Sequence, residues 1–231
     1  MIRRLGYAIL GVGVLVLAWV AVTLAWGDPV TSLYTRHAQN VLADRLDAVD
    51  ERWSATGVGA RLVSQRAGTT AAKPSTAARL RSLAIAYRST LRHGDPVGRI
   101  VIPRLGLRMV VVQGTSADDL RKGPGHYNAR SGQNTSLPGM GGVIGVAGHR
   151  TTFSHPFRHI DDLRRGDRIE LQMPYGRFRY TVDNHKIVDD QDWSILRHRP
   201  YEKLVLTACH PLHSATHRWV VFARLTSGRP A

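Results

Sequence analysis

From Tyr7 to Trp26 the chain reads YAILGVGVLVLAWVAVTLAW, twenty positions without a charge. A helix rises about 1.5 Å per residue, so this run is long enough to span the roughly 30 Å hydrocarbon core of a bilayer. Arg3 and Arg4 precede it, and Trp19 and Trp26 suit its outer half and interface. A cleaved signal peptide is the alternative, but such peptides have apolar cores of only about 7–15 residues and an Ala-x-Ala-like cleavage site. Ala25-Trp26-Gly27 is a poor site of that kind. The run therefore reads as a retained single-pass anchor. By the positive-inside rule the Arg3/Arg4 end stays in the cytoplasm, and everything beyond Trp26 lies outside the membrane.

That address decides what the charge means. Lys and Arg outnumber Asp and Glu 32 to 17, for a formal net charge of +15, and the excess is spread along the chain. A surface of this sign attracts anionic polymers: nucleic acid, acidic lipid or the phosphate-rich polymers of a wall. An extracytoplasmic location argues against DNA or RNA as a partner and leaves membrane and wall.

Exported domains often carry disulfides, yet Cys209 is the only cysteine, so no intramolecular bridge can form. A buried structural thiol is one reading. The position favours another. Leu204-Val205-Leu206-Thr207-Ala208 is an apolar strand-like run that stops on Cys209, and the polar loop His213-Ser214-Ala215-Thr216-His217 follows. A thiol placed there is a candidate nucleophile.

The rest of the chain changes period once. Tyr34, Ala38, Val41, Leu42, Leu46, Val49 and Trp53 recur at spacings of three and four, which predicts a helix over 32–53. Residues 54–76 are rich in Gly, Ala, Ser and Thr and read as linker. Leu80, Leu83, Ala84, Tyr87 and Leu91 form a second helical stripe. The expected layout is a cytoplasmic tail (1–5), an anchor (6–26) and an extracytoplasmic helical stalk and linker (27–94). A body (95–226) and a C-terminal tail (227–231) complete it. Within the body, strands are expected over Val97–Leu105, Arg108–Gln113, Val143–Ala147, Arg168–Met173, Phe178–Val188 and on both sides of the Cys209 loop. Short helical pieces are expected at Ala117–Lys122 and Phe157–Leu163. Short strands at this density, with long loops and little helix, predict a mainly β fold, a closed or nearly closed barrel.

A cysteine attacks as thiolate and needs a proton acceptor or a cation beside it. His149, like Cys209, sits at the C-terminal end of an apolar run, and Gly148 before it permits close backbone approach. Arg218 opens the strand after the Cys209 loop, so a hairpin returns it towards the thiol. A cation there can hold an oxyanion. Zinc is the rival use of Cys209, His210, His213 and His217. Pro211 interrupts any helix that would gather them, the usual paired spacings are absent, and no carboxylate lies in the loop. No metal or other cofactor is expected.

Gly148-His149-Arg150-Thr151-Thr152, then Leu206-Thr207-Ala208-Cys209, then Arg218 nine positions on, resembles the sortases, cysteine transpeptidases that attach proteins to bacterial cell walls. Leu120-Arg121-Lys122-Gly123-Pro124-Gly125-His126-Tyr127, Cys209-His210-Pro211 and the exit Trp26-Gly27-Asp28-Pro29 are most similar to the class E branch. The resemblance implies an eight-stranded sortase barrel with Cys209, His149 and Arg218 as the active site. It also implies cleavage of the Thr–Gly bond of a C-terminal sorting signal, of Leu-Ala-x-Thr-Gly type, in a secreted protein. The acyl chain would then pass to an amine on a peptidoglycan precursor or another protein. Tyr127, Thr207 and Ala208 would contact substrate. Ala208 and Val205 depart from a common Thr-Leu-x-Thr-Cys pattern, and the missing Ala208 hydroxyl could cost on the order of a hundredfold in rate. Papain-like wall peptidases place cysteine before histidine, and L,D-transpeptidases need a Ser-His-Gly-Cys stretch that is absent here. A non-catalytic basic scaffold that binds wall polymer is the alternative from another class.

Overall fold

The computed structural model describes residues 2–26, 29–55, 74–128 and 135–231. Most of the linker expected over 54–76, and residues 129–134, lie outside the described residues. The first element, α1 (Ile2–Trp26), contains the apolar stretch Arg3–Ala21, long and apolar enough to cross a bilayer.

Beyond it come α2 (Pro29–Ala55), α3 (Thr76–Thr90), β1 (Pro96–Ile102), β2 (Leu107–Gln113), α4 (Ala117–Lys122), β3 (Gly125–His126), β4 (Val143–Ala147), β5 (Arg168–Met173), β6 (Gly176–Asp189), β7 (Lys203–His210) and β8 (His217–Pro230). The eight strands close into a barrel in the order β1-β2-β3-β4-β7-β8-β6-β5. Neighbours are antiparallel except β2 with β3 and β4 with β7, which run parallel.

Alternation writes the barrel wall. Along β5, Ile169, Leu171 and Met173 are buried while Arg168 is exposed, so one face feeds the core and the other meets water. The strand β4, Val-Ile-Gly-Val-Ala, is buried at every position. Both of its faces are covered: Ile144 and Val146 join the barrel interior, while Val143 and Ala147 join an outer cluster with Tyr127, Val188, Leu196, Val205, Val220 and Phe222. That outer cluster lies on the wall that carries Cys209.

The helices before the barrel correct the expectation of a stalk. Leu80, Leu83, Ala84 and Tyr87 of α3 belong to the barrel's own core, and the Tyr87 hydroxyl donates to the Pro96 carbonyl at 3.1 Å. Helix α2 lies on β2: Leu42 and Leu46 are buried against Val110 and Val112. Burying a leucine in this way is worth about 1.5–3 kcal/mol relative to exposure. Gln39 of α2 fixes the register, accepting from the Val110 N–H at 2.7 Å and donating to the Val110 and Lys122 carbonyls at 3.0 and 2.7 Å. Of the stripe predicted over 32–53, Leu42, Leu46, Val49 and Trp53 pack against the barrel, whereas Tyr34 and Val41 are exposed.

Two boundaries also move. Residues 227–230, expected in a tail, extend β8 and pair with Gly176–Arg179. The helix expected over Phe157–Leu163 is a 3-10 turn, Ile160–Asp162, set among bends.

Candidate active site

The wall places Cys209 by register. In the parallel pair β4–β7, Val143 faces Lys203 and Ala147 faces Thr207. The Gly148 N–H continues the ladder to the Thr207 carbonyl at 3.0 Å. Two residues past Ala147 is His149, and two residues past Thr207 is Cys209. In the antiparallel pair β7–β8, Cys209 stands directly opposite Arg218. Cys209 and Arg218 thus face each other across β7 and β8, and His149 follows one residue after Gly148, whose N–H bonds the neighbouring strand β7. Residues directly opposite in an antiparallel pair project from the same face, so Arg218 shares the face of the thiol.

Cys209 is free and half-buried. The Arg218 guanidinium is held from behind: its Nη1 donates to the Ala215 and His217 carbonyls at 2.7 and 3.0 Å, and Nη2 lies 4.0 Å from the Asp190 carboxylate. Fixed on the loop's carbonyls, the cation has little freedom to swing away. His149 is half-buried, and burial followed by the Arg121 cation holds its pKa below the ordinary histidine value. Both effects favour the neutral ring over the imidazolium.

The remaining expected contacts divide. The Tyr127 hydroxyl and Thr207 Oγ1 are hydrogen-bonded at 2.9 Å, both buried. They sit beside Cys209 and Arg218: burial raises the Tyr127 pKa, the Thr207 bond and Arg218 charge oppose the rise, and Cys209 adds to it. Tyr127 also meets Trp193 edge-on, ring centroids 6.2 Å apart. Ala208, also expected to contact substrate, is placed differently from Tyr127 and Thr207. It is 3% exposed and packs in the barrel interior with Leu206, Val221 and Ala223. Successive strand residues point to opposite faces, so a side chain at 208 points away from the thiol at 209. Gly148 does permit a close approach, but by the Phe157 ring, which a Cβ there would meet at 2.6 Å.

Sequence reasoning passed over Arg150. It is 3% exposed, and its Nη2 pairs with Asp161 at 2.8 Å. Nε and Nη2 donate to the Arg158 carbonyl at 3.3 and 3.2 Å, while Nη1 lies 3.5 Å from the Cys209 carbonyl and 3.4 Å from His210 Nδ1. One buried guanidinium so joins the segment after His149 to the end of β7. Its only sequence signal was its place next to His149. Phe153 was also passed over: its ring lies 5.3 Å from the His149 ring. Phe153, Ser154 and His155 have φ of 53°, 57° and 34°. Left-handed backbone costs a non-glycine residue about 1–3 kcal/mol.

Other histidines serve the fold. His126 is fully buried, with Nδ1 2.8 Å from Gln113 Oε1 and Nε2 3.0 Å from the Ser136 carbonyl, and burial lowers its pKa to about 4. His210 leans on Trp219, and His217 Nδ1 is 3.0 Å from Thr216 Oγ1. Among the described residues, no three His, Cys, Asp or Glu side chains converge as a metal site.

The sortase domain family matches residues 100–226, more than half of the chain. Sortase D of Bacillus subtilis (strain 168) is 37% identical over 136 residues, which cover 57% of this chain and 64% of that protein. Sortase SrtE1 of Streptomyces coelicolor is 29% identical over 149 residues, covering 59% of this chain and 42% of that protein. The match thus spans less than two-thirds of either relative. The crystal structure of Sortase E1 from Streptomyces coelicolor, with a tripeptide in its active site, superposes with a TM-score of 0.56 at 29% identity, covering 59% of this chain and 91% of that one. Similarity reaches class D and class E proteins alike, so the expected class E placement narrows no further than the family. With the closed barrel, its strand order and the matched segment together, the chain belongs to the sortase family.

Proposed function

We propose that the chain is a membrane-anchored cysteine transpeptidase, with Cys209 as nucleophile, His149 as acid and base, and Arg218 as the oxyanion's cation. The observation that supports this is Cys209 directly opposite Arg218 in the β7–β8 pair, with His149 two residues past the end of β4, the strand paired to β7 on its other side. His149 takes the Cys209 proton, and the thiolate adds to the scissile carbonyl. Arg218 faces the oxygen that becomes negative, where a fixed cation counts most because charge develops there. When the tetrahedral adduct collapses, the C–N bond breaks and the imidazolium returns its proton to the departing amine. A thioester on Cys209 remains. An incoming amine loses its proton to His149, attacks the thioester and expels the Cys209 thiolate, which is reprotonated from His149.

The family implies donors with sorting signals and amine acceptors. The finer reading, carried over from the class E resemblance, is a Leu-Ala-x-Thr-Gly donor cut between Thr and Gly, with Tyr127 and Thr207 against the peptide. Acceptors would be peptidoglycan precursors or surface proteins. The N-terminus would be cytoplasmic and the barrel outside. Incubating the full chain in detergent with a Leu-Ala-x-Thr-Gly peptide and triglycine, followed by mass spectrometry, tests the reaction and the donor together. A thioester on Cys209 and a triglycine-linked product are expected. Cys209→Ala should lower transfer by more than about a thousandfold. Transfer retained in that variant would refute the nucleophile, and wall-polymer binding with no transfer in the wild type would leave the basic scaffold.

A further inference from the structure

Nothing in the three candidate residues themselves explains why the segment after His149 holds left-handed backbone at Phe153, Ser154 and His155. Such a conformation persists only where the surroundings impose it. The surroundings here are the first turns of α2. The Phe153 N–H donates to Thr31 Oγ1 at 3.0 Å, and the Ser154 hydroxyl donates to the Ser32 carbonyl at 3.3 Å. Tyr34 meets the Phe153 ring edge-on at 6.5 Å, and the Arg121 guanidinium lies over that ring at 5.7 Å. Arg121 is itself tied to α2, because the buried Thr35 hydroxyl donates to its carbonyl at 2.7 Å. The same Phe153 ring also lies 5.3 Å from the His149 ring, tilted by 36°.

We propose that α2 is part of the catalytic unit: through Thr31 and Phe153 it braces the ring of His149 in the orientation that serves Cys209. Thr31 and Phe153 are positioning residues, since neither is among the three side chains that would touch the reacting atoms. The inference rests on the reading of Cys209 and His149 as nucleophile and base. It adds that a barrel cut free at residue 95 lacks a working part.

The brace has a one-atom test. Thr31→Val keeps the shape of the side chain and removes the oxygen that accepts from Phe153; Thr31→Ser keeps the oxygen. In the full chain in detergent, Thr31→Val should lower kcat for peptide-to-triglycine transfer about tenfold, with KM within about twofold, because orientation rather than binding is lost. Hydrogen exchange read by mass spectrometry should show faster exchange over 151–155, and Thr31→Ser should restore both measurements. Three results would overturn the brace: faster exchange with unchanged kcat, a rise in kcat (α2 would then be a cover), or unaltered exchange. Iodoacetamide alkylation of Cys209 across pH, with and without His149→Ala, needs no peptide substrate. If alkylation of the wild type ignores His149, the Cys–His reading and the brace fall together. If it depends on His149 and Thr31→Val leaves that dependence unmoved, only the brace falls.

Discussion

Arg150 offers a sharp energetic test because its two ends live in different solvents. The guanidinium is 3% exposed, whereas Asp161, its ionic partner at 2.8 Å, is 42% exposed. Replacing Arg150 by methionine frees a carboxylate that water can rehydrate, so the ionic loss is small. What remains is the Arg158 carbonyl, deprived of two donors. An orphaned acceptor costs about 1–3 kcal/mol when buried, and Arg158 is half-buried, which puts Arg150→Met near about 2 kcal/mol once the lost packing of the arginine stem is included. Asp161→Asn is the less intuitive case. It changes the exposed partner, but strands a buried cation that cannot shed its proton. Breaking a wholly buried pair costs about 3–5 kcal/mol; exposure of the carboxylate and the surviving carbonyl contacts reduce this to about 2. In the double variant no cation is left to strand, so its cost should match Arg150→Met alone, and the cycle should be non-additive by about 2 kcal/mol. Urea unfolding of the full chain in detergent, followed by tryptophan fluorescence, reads all four corners. Additivity within about 0.5 kcal/mol would show that Arg150 and Asp161 do not act as a pair, and the account of how the two halves of the site are joined would be wrong.

Two further outcomes concern residues with opposite fates. His126 is held neutral, with its pKa lowered to about 4, while the unfolded chain's histidine titrates near 6.5. The unfolded state binds the extra proton first, so stability is full above about pH 6.5 and falls as pH drops towards 4, by about 3 kcal/mol in all. His126→Gln should flatten that limb in urea titrations taken at each pH; an unchanged limb would refute the assignment. Ala208→Thr restores a hydroxyl on the inward face of β7, and kcat should stay within about threefold, far from the hundredfold a lost oxyanion donor can cost. A large gain in transfer would mean that the 208 side chain reaches the substrate after all.

The facing pair Cys209 and Arg218 was legible because each announced itself near a strand end, Cys209 after Leu204–Ala208 and Arg218 at the start of the strand beyond the loop. Strand ends are read from local pattern, and the short loop between β7 and β8 is enough to bring those two residues opposite each other. Partners far apart in sequence were not legible. The stripe holding Leu42 and Leu46 predicts a helix, but an apolar stripe does not say whether it covers a barrel, a second copy or nothing. Gln39 and Thr35 carry the docking bonds to residues more than seventy positions away, and neither is an unusual residue for an exposed helix. The end of β8 was missed because Ser227, Gly228, Arg229 and Pro230 lack apolar alternation; they are strand only because β6 offers Gly176–Arg179 as an edge. Arg150 was missed because composition gives an arginine an exposed prior. Only the tertiary arrangement of Asp161 and the Arg158 carbonyl reverses it.

The parallel seam between β4 and β7 has a consequence for how such a protein loses its activity. A dyad carried on two flexible loops can drift apart while the scaffold survives. Here the histidine and the cysteine each lie two residues past the last teeth of a zipper that runs along the barrel wall from Val143 with Lys203 to Ala147 with Thr207. Separating them means unfastening that wall, so on heating, chemistry and architecture should disappear in one cooperative event.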